Sequence, residues 1–305
     1  MIHFRSKIIV MVAFLAIYLF LKLGQLQHSL TIWQTMPAES RFSAIVSDKS
    51  LKIPKSAVTA DVALSGPIPH ALWFTYKHNI LTNKTPQIFY KNIVKSIDSY
   101  RNAWKNDPNM TVKFLVDSNC TDLLKEVDQE LNLSLSNSFL AVTSGAFKSD
   151  LCRLAVLYLH GGYYFDIDME VIQPILLGDE ISFSSATSTI RPVFFQSYLA
   201  STPRHPIIRR NLDTMEEYYR GEGQCIKRKT RVVGCCTLMT AWKQTQKKGN
   251  VKILQEVLLN HEMYDGAYSN IPFRGQMKAC HFIVHDPQLR QVYFYSRIQG
   301  SHRCP

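Results

Sequence analysis

Short apolar runs alternate with amphipathic stretches along most of the chain after residue 66. Residues 71–76 (ALWFTY) and 112–116 are apolar runs of strand length. The segment that opens at Pro86 instead repeats apolar side chains every three or four residues, as a helix does. A second helical stretch follows through residue 131. Strands that alternate with helices predict an α/β domain with a largely parallel sheet.

The alternation continues through the middle of the chain. Residues 146–160 carry an apolar stripe at helical spacing, Gly161 and Gly162 supply a left-handed helix end, and a strand follows at 163–167. Beyond it the pattern predicts three strands, at 181–186, 194–200 and 282–285. It also predicts three helices, at 206–219, 237–246 and 251–259.

The N-terminus differs from the rest of the chain. Residues 8–21 are uniformly apolar, with Arg5 and Lys7 before them and Lys22 after them. We predict an uncleaved transmembrane signal-anchor at 8–23 with a cytoplasmic tail at 1–7, because no clear small-x-small cleavage site follows. The run is short for a membrane span, so a cleaved signal peptide is the alternative. Residues 24–66 are polar and serine-rich and predict a stem, which would place residues 67–305 in the lumen as the folded domain.

Composition narrows the class of protein. The chain is 46% hydrophobic and 19% charged, which is ordinary for a globular protein. A net charge of +11 would suit an anionic partner, but no nucleic-acid-binding motif is present, so we expect no nucleic acid partner.

Cysteines and sequons agree with a lumenal domain. The seven cysteines predict disulfides, and their odd number leaves at least one thiol free, for which we expect Cys152 inside its helix. Zinc binding is the alternative, although no C-x-x-C pair exists. Glycosylation is predicted at the four sequons, which begin at Asn83, Asn109, Asn119 and Asn132.

Two carboxylates close the strand at 163–167. Asp166 and Asp168 would share one face of an extended chain, where they repel each other unless a cation or a hydroxyl-rich ligand lies between them. This pattern predicts a metal-dependent site. An EF-hand is excluded, because the glycine that its calcium loop requires is absent. Taken alone, an Asp-x-Asp turn or a surface pair of Asp150 with Arg153 could be purely structural.

The order of these features is more specific than any one of them. The run S-D-x-x-R, an apolar helix and G-G-x-Y-x-D-x-D, over residues 146–174, resembles glycosyltransferase family 32, the sugar-binding DXD group. A fainter similarity extends over 68–77, 195–208 and 233–240. The resemblance implies a GT-A-type nucleotide-diphosphosugar-binding fold with a mixed, mostly parallel sheet flanked by helices.

The resemblance also implies an activity. A hexose would pass from a nucleotide-diphosphate sugar, GDP-mannose first and a UDP-sugar next, to a hydroxyl of a glycan or glycolipid acceptor with retention of configuration. Together with the predicted anchor, it implies a single-pass type II protein of the Golgi membrane with a lumenal catalytic domain. The alternative is a non-catalytic, lectin-like lumenal protein that keeps the fold.

Residue roles follow from the same resemblance. Asp166 and Asp168 would be the catalytic pair, with Asp168 as the direct ligand of Mn²⁺ or Mg²⁺ and Asp166 supporting the metal. Asp150, Arg153 and Asp166 would bind the donor sugar. Three aromatic residues would contact the nucleotide, although core packing explains each equally well: Trp73, Tyr76 and Tyr164.

Four departures leave the completeness of the site open. Trp73 and Tyr76 occupy places where relatives carry His and Trp, and Gln196 replaces a common asparagine. Gly234 is followed by Cys235 rather than proline. The C-terminal His and Trp cluster of relatives is not evident, and the pair His285-Asp286 is a candidate replacement.

Overall fold

A computed structural model describes residues 66–105, 107–188, 193–227, 232–259, 279–296 and 302–303. The helices are α1 (Ile80–Asn83), α2 (Gln87–Ala103), α3 (Asp117–Leu131), α4 (Leu135–Ala141), α5 (Gly145–His160), α6 (Pro206–Tyr219), α7 (Gly223–Lys227) and α8 (Val233–Gln244). The strands are β1 (Ala71–Thr75), β2 (Thr111–Leu115), β3 (Gly162–Phe165), β4 (Glu170–Val171), β5 (Phe183–Ser188), β6 (Val193–Ser201), β7 (Val251–Leu259), β8 (Ala279–Asp286), β9 (Gln291–Ser296) and β10 (His302–Arg303).

The strands form one mixed sheet in the order β2-β1-β3-β6-β5-β7-β8-β9-β4, and β10 pairs with β8. Among the described strands, β1 pairs in parallel with β2 and β3, and β5 with β7. The other pairings are antiparallel. The α/β class is therefore confirmed, whereas the expectation of a mostly parallel sheet is wrong. Described helices lie between β1 and β3 and between β6 and β7, whereas β7, β8 and β9 pair as successive antiparallel neighbours.

The segment Val251–Leu259 was expected to be a helix and is the strand β7. Its apolar residues fit either period, and pairing decides between them. One neighbour, β5, runs parallel to it from Phe183 to Ser188, and the other, β8, runs antiparallel. Long-range partners of this kind cannot be read from the segment itself.

The core lies on both sides of β1 and β3. Helix α5 is buried from Leu151 through Leu159, so it is surrounded by protein along most of its length. Aromatic rings fill the space between α2 and β3, including Tyr100, Tyr163 and Phe165. Because α5 and β3 are both buried in this core, the loop between them and the end of β3 are held firmly.

Two disulfides are present among the described residues. Cys120 of α3 is joined to Cys152 of α5, and Cys225 of α7 is joined to Cys236 of α8. The expectation that Cys152 is the free thiol is therefore wrong. It is buried inside α5, but that face of α5 packs on α3, which supplies a partner. Cys235 is a free cysteine.

The predicted signal-anchor at 8–23 and the stem at 24–66 lie, apart from Gly66, outside the described residues. Within the ranges given above, no helix is long and apolar enough to cross a membrane.

Candidate active site

A double-glycine turn brings α5 directly into β3. Gly161 and Gly162 both have positive φ, 64° and 97°. Side chains would not fit at either position: a Cβ on Gly161 would lie 2.7 Å from the Ser201 carbonyl oxygen, and one on Gly162 would lie 2.7 Å from Trp73 Nε1. The glycines therefore permit the close return that places the first half of α5, with Arg153, beside Asp166 at the carboxyl end of β3.

The two carboxylates of the Asp-x-Asp motif lie in a turn. Met169 N–H donates to the Asp166 carbonyl at 3.2 Å, so the backbone from Asp166 to Met169 folds back rather than continuing extended. The assumption that Asp166 and Asp168 share a face of a strand is thus wrong. Asn92 of α2 donates from Nδ2 to the Met169 carbonyl at 3.1 Å and fixes the turn from outside.

Arg153 lies at the centre of the charged groups. Its guanidinium Nη2 is 3.3 Å from Asp150 Oδ1 and 3.2 Å from Asp166 Oδ1. Its side chain is only 5% exposed, and Nε also donates to the Ser149 carbonyl at 3.1 Å. Burial tends to lower the pKa of Arg153, but the charge of Asp166 and then those of neighbouring groups outweigh it and raise the pKa above its usual value. Arg153 is therefore a fixed cation that aligns both carboxylates.

Tyr164 also holds Asp166 in position through a hydrogen bond. Its hydroxyl donates to Asp166 Oδ1 at 2.8 Å, and the Arg153 guanidinium lies 4.6 Å from its ring centroid. Thr75 Oγ1, at the end of β1, is 2.8 Å from the Tyr164 hydroxyl and 3.1 Å from Ser149 Oγ. Burial raises the pKa of Tyr164 well above its ordinary value, so the phenol stays protonated and continues to donate.

Arg153 also contacts β6, and its partner Asp150 contacts α8. Nη1 donates to the Gln196 carbonyl at 2.6 Å. Asp150 Oδ2 accepts from Gly234 N–H at 3.1 Å, and Gln196 Nε2 donates to the Gly234 carbonyl. Burial raises the pKa of Asp150 to about 6, and the charge of Arg153 limits the rise. At neutral pH Asp150 is thus a largely ionised acceptor inside the protein.

The carboxylate oxygens of Asp166 and Asp168 suit a hard divalent cation, but oxygens of the substrate would have to complete its coordination shell. Asp168 is partly exposed in the turn and Asp166 is 26% exposed in its side chain, so both carboxylates reach the surface of the site. Oxygen ligands suit Mn²⁺ and Mg²⁺, and Mg²⁺ is often held by one or two carboxylates together with substrate phosphates. In the described part of the chain, no group of three or more His, Cys, Asp or Glu side chains is arranged to hold a metal ion.

The structure does not bring all of the expected residues together. Trp73 is 4% exposed and donates from Nε1 to the Gly161 carbonyl at 2.7 Å, at the opposite end of α5 from Asp150. Tyr76 follows β1 and is partly exposed against Phe89. Both nucleotide-contact roles stay predictions, and the contacts of Trp73 are those of core packing.

The pair His285-Asp286 ends β8, which is the fourth strand along from β3 in the sheet order. The residue paired with Asp286 is Gln291, and its carboxylate contacts Lys252 near the start of β7. The role of this pair as a replacement for the cluster of the relatives stays a prediction. Burial lowers the pKa of His285 to about 4.

All four sequon asparagines are exposed: Asn83, Asn109, Asn119 and Asn132. Exposure is compatible with glycan attachment, which stays a prediction.

Four site residues escaped the sequence-based assignment of roles. Thr75 ends β1, a parallel neighbour of β3, so topology alone would have placed it at this edge. Ser149 precedes Arg153 by one helical turn. Gly234 and, toward Arg153, Gln196 act through backbone groups, which leave no signal in side-chain chemistry.

Comparison with known proteins agrees with this geometry over the first part of the domain. Residues 74–187 match the family model described as a glycosyltransferase sugar-binding region containing the DXD motif. The match covers less than half of the chain but includes Asp150, Arg153, Tyr164, Asp166 and Asp168. It supports glycosyl transfer as the general class of activity.

Solved structures give weaker likenesses. "PaToxG Glycosyltransferase" is 23% identical with a TM-score of 0.36, over 58% of this chain and 69% of that one. A transferase mutant with two cysteines replaced by serine is 11% identical with a TM-score of 0.31, over 60% of this chain and 88% of that one. Both TM-scores are too low to support conclusions about the site. No curated protein sequence matches the chain significantly.

Proposed function

We propose that the protein is a metal-dependent glycosyltransferase of the family 32 type. It would transfer a hexose from a nucleotide-diphosphate sugar to a hydroxyl of a glycan or glycolipid with retention. GDP-mannose is the first donor to test, followed by UDP-sugars. The observation that supports this most strongly is the buried Arg153, which joins Asp150 to Asp166 directly before the turn that carries Asp168.

Each residue has a role that its position supports. Asp168, and Asp166 beside it, would hold Mn²⁺ or Mg²⁺ together with the donor diphosphate. The bound cation would stabilise the charge of the leaving diphosphate. Asp150 and Arg153 present a fixed acceptor and fixed donors to the hydroxyls of the sugar. Tyr164 keeps Asp166 oriented through its hydrogen bond, so the geometry is set before the donor binds.

A Golgi location in a type II arrangement is part of the proposal. The apolar run at 8–23 would anchor the chain, and residues 67–305 would lie in the lumen. The disulfides Cys120–Cys152 and Cys225–Cys236 support an oxidising compartment. Treatment with an endoglycosidase should shift the mobility of the mature chain, and N-terminal sequencing should find residue 1 or 2 retained. A mature chain that begins after Lys22 would show a secreted protein instead.

The activity can be tested with the full chain in detergent. The protein is incubated with Mn²⁺ and GDP-mannose, UDP-galactose, UDP-glucose or UDP-N-acetylglucosamine, with simple sugar acceptors, and release of GDP or UDP is measured. We expect release from one donor, and loss of release in Asp168→Asn and on chelation of the metal. Asp179→Asn is the matched control, because Asp179 is an exposed aspartate outside the site.

The same assay separates the alternative. A lectin-like protein would bind sugars without releasing nucleotide from any donor. That result, obtained with protein that thermal unfolding shows to be folded, would refute the proposal that the protein is an enzyme.

A further inference from the structure

Gly234, the second residue of α8, lies against the Asp150 carboxylate. Its N–H donates to Asp150 Oδ2 at 3.1 Å. The helix that begins here runs from Val233 to Gln244, so its first turn presents a partial positive charge to that carboxylate. The contact therefore orients Asp150 and favours its ionised form.

The space beside Gly234 is occupied by the same group. A Cβ added there would lie 2.5 Å from both Cγ and Oδ1 of Asp150, and 2.3 Å from Gln196 Oε1. No side chain, not even a methyl group, fits without displacing one of these groups. Asp150 and Gln196 both depend on a bare backbone at this position.

Four residues form a closed ring of contacts. Gly234 N–H binds Asp150, and Asp150 is paired with Arg153. Arg153 donates to the Gln196 carbonyl, and Gln196 donates back to the Gly234 carbonyl. A shift of Gly234 thus changes both the carboxylate and the guanidinium that face the donor sugar. Gln196 is 3% exposed, so its side chain has little room to adjust.

We infer that Gly234 is a positioning residue for donor recognition, which acts by holding the Asp150 carboxylate in register with Arg153. This inference rests on the proposed function, because it concerns the sugar-binding part of that site. Gly234 contributes no side chain to the ligand. It acts chiefly through Asp150, so its influence should be much smaller when the Asp150 carboxylate is removed.

The test compares Gly234→Ala with Gly145→Ala in the full chain. Gly145 begins α5, the helix of Asp150, and a Cβ there would meet nothing within 4 Å. The kcat and KM for the donor that the wild type uses are measured with Mn²⁺, together with thermal unfolding. We expect Gly234→Ala to lower kcat/KM by at least about tenfold, the effect of losing one well-placed hydrogen bond to a charge. Gly145→Ala should stay within about twofold.

A double-mutant cycle with Asp150→Ala separates positioning from mere structure. If Gly234 acts chiefly through the carboxylate, Gly234→Ala should change donor affinity, measured by calorimetry in both backgrounds, by a clearly smaller factor in the Asp150→Ala background than in the wild type. Equal effects in both backgrounds, or a wild-type kcat/KM in a Gly234→Ala protein that is fully folded at the assay temperature, would overturn the inference alone. A wild type that neither binds nor cleaves any of the four donors would overturn the proposed function, and the inference with it.

Discussion

Replacement of Arg153 tests the central feature of the site. The guanidinium makes two hydrogen bonds to backbone carbonyls and pairs with two carboxylates, and its side chain is 5% exposed. Arg153→Ala leaves Asp150 and Asp166 without their shared cation, and removal of one partner of a buried ion pair costs about 3–5 kcal/mol. Arg153→Lys keeps the charge but cannot reproduce the fork, so we expect it to lose about two neutral hydrogen bonds, or about 1–3 kcal/mol.

The assay is urea unfolding at pH 7, followed by fluorescence and circular dichroism, with the disulfides intact. Arg101→Lys is the matched control, because Arg101 is 50% exposed and pairs with Asp98 at the surface of α2. Its change in unfolding free energy should lie within about 0.5 kcal/mol. The expected order of destabilisation is Ala, then Lys, then the control.

A second comparison tests the cause. If unpaired carboxylates produce the loss, Asp150→Asn should recover part of it in the Arg153→Ala background, because one buried negative charge is removed. The reasoning is refuted if Arg153→Ala lies within about 1 kcal/mol of the Arg101→Lys control. It is also refuted if Asp150→Asn adds its full cost to that of Arg153→Ala.

Three further predictions address other parts of the domain. Burial lowers the pKa of His205 to about 4, so as the pH falls from 6.5 to 4 the unfolded chain binds the proton first and the wild-type unfolding free energy should fall. In urea titrations of His205→Asn, the unfolding free energy should depend less steeply on pH over this range. Replacing Cys120 and Cys152 together by Ser should lower the unfolding free energy by roughly 2–4 kcal/mol in urea, and no loss would contradict the link between α3 and α5. Trp73→Phe should lower the thermal midpoint, because it removes the hydrogen bond to the Gly161 carbonyl, and it should leave nucleotide affinity, measured by calorimetry, unchanged. A loss of nucleotide affinity in Trp73→Phe or in Tyr76→Ala would instead support the predicted nucleotide contacts.

The parts of the fold that could be predicted are those whose signals are local. The helix before Gly161, the positive-φ turn and the strand after it are encoded within about twenty residues by apolar spacing and by the two glycines. The direction of the later strands depends on partners far away in the chain. The strand Val251–Leu259 is an example. Its apolar positions fit a helical period, but its pairing with β5 and β8 makes it a strand.

The same distinction divides the candidate site. Asp150, Arg153 and Asp166 lie close together in sequence and carry charged side chains, and the resemblance of this stretch to a known family predicted a common site for them. The groups that hold them in place from β6 and α8 are the Gln196 carbonyl, 43 residues from Arg153, and the Gly234 N–H, 84 residues from Asp150. Every residue except proline has both groups, so neither contact could be found by searching for reactive side chains. The sequence shows that residue 234 is a glycine, but only the fold shows that Asp150 and Gln196 occupy the space where a side chain would lie.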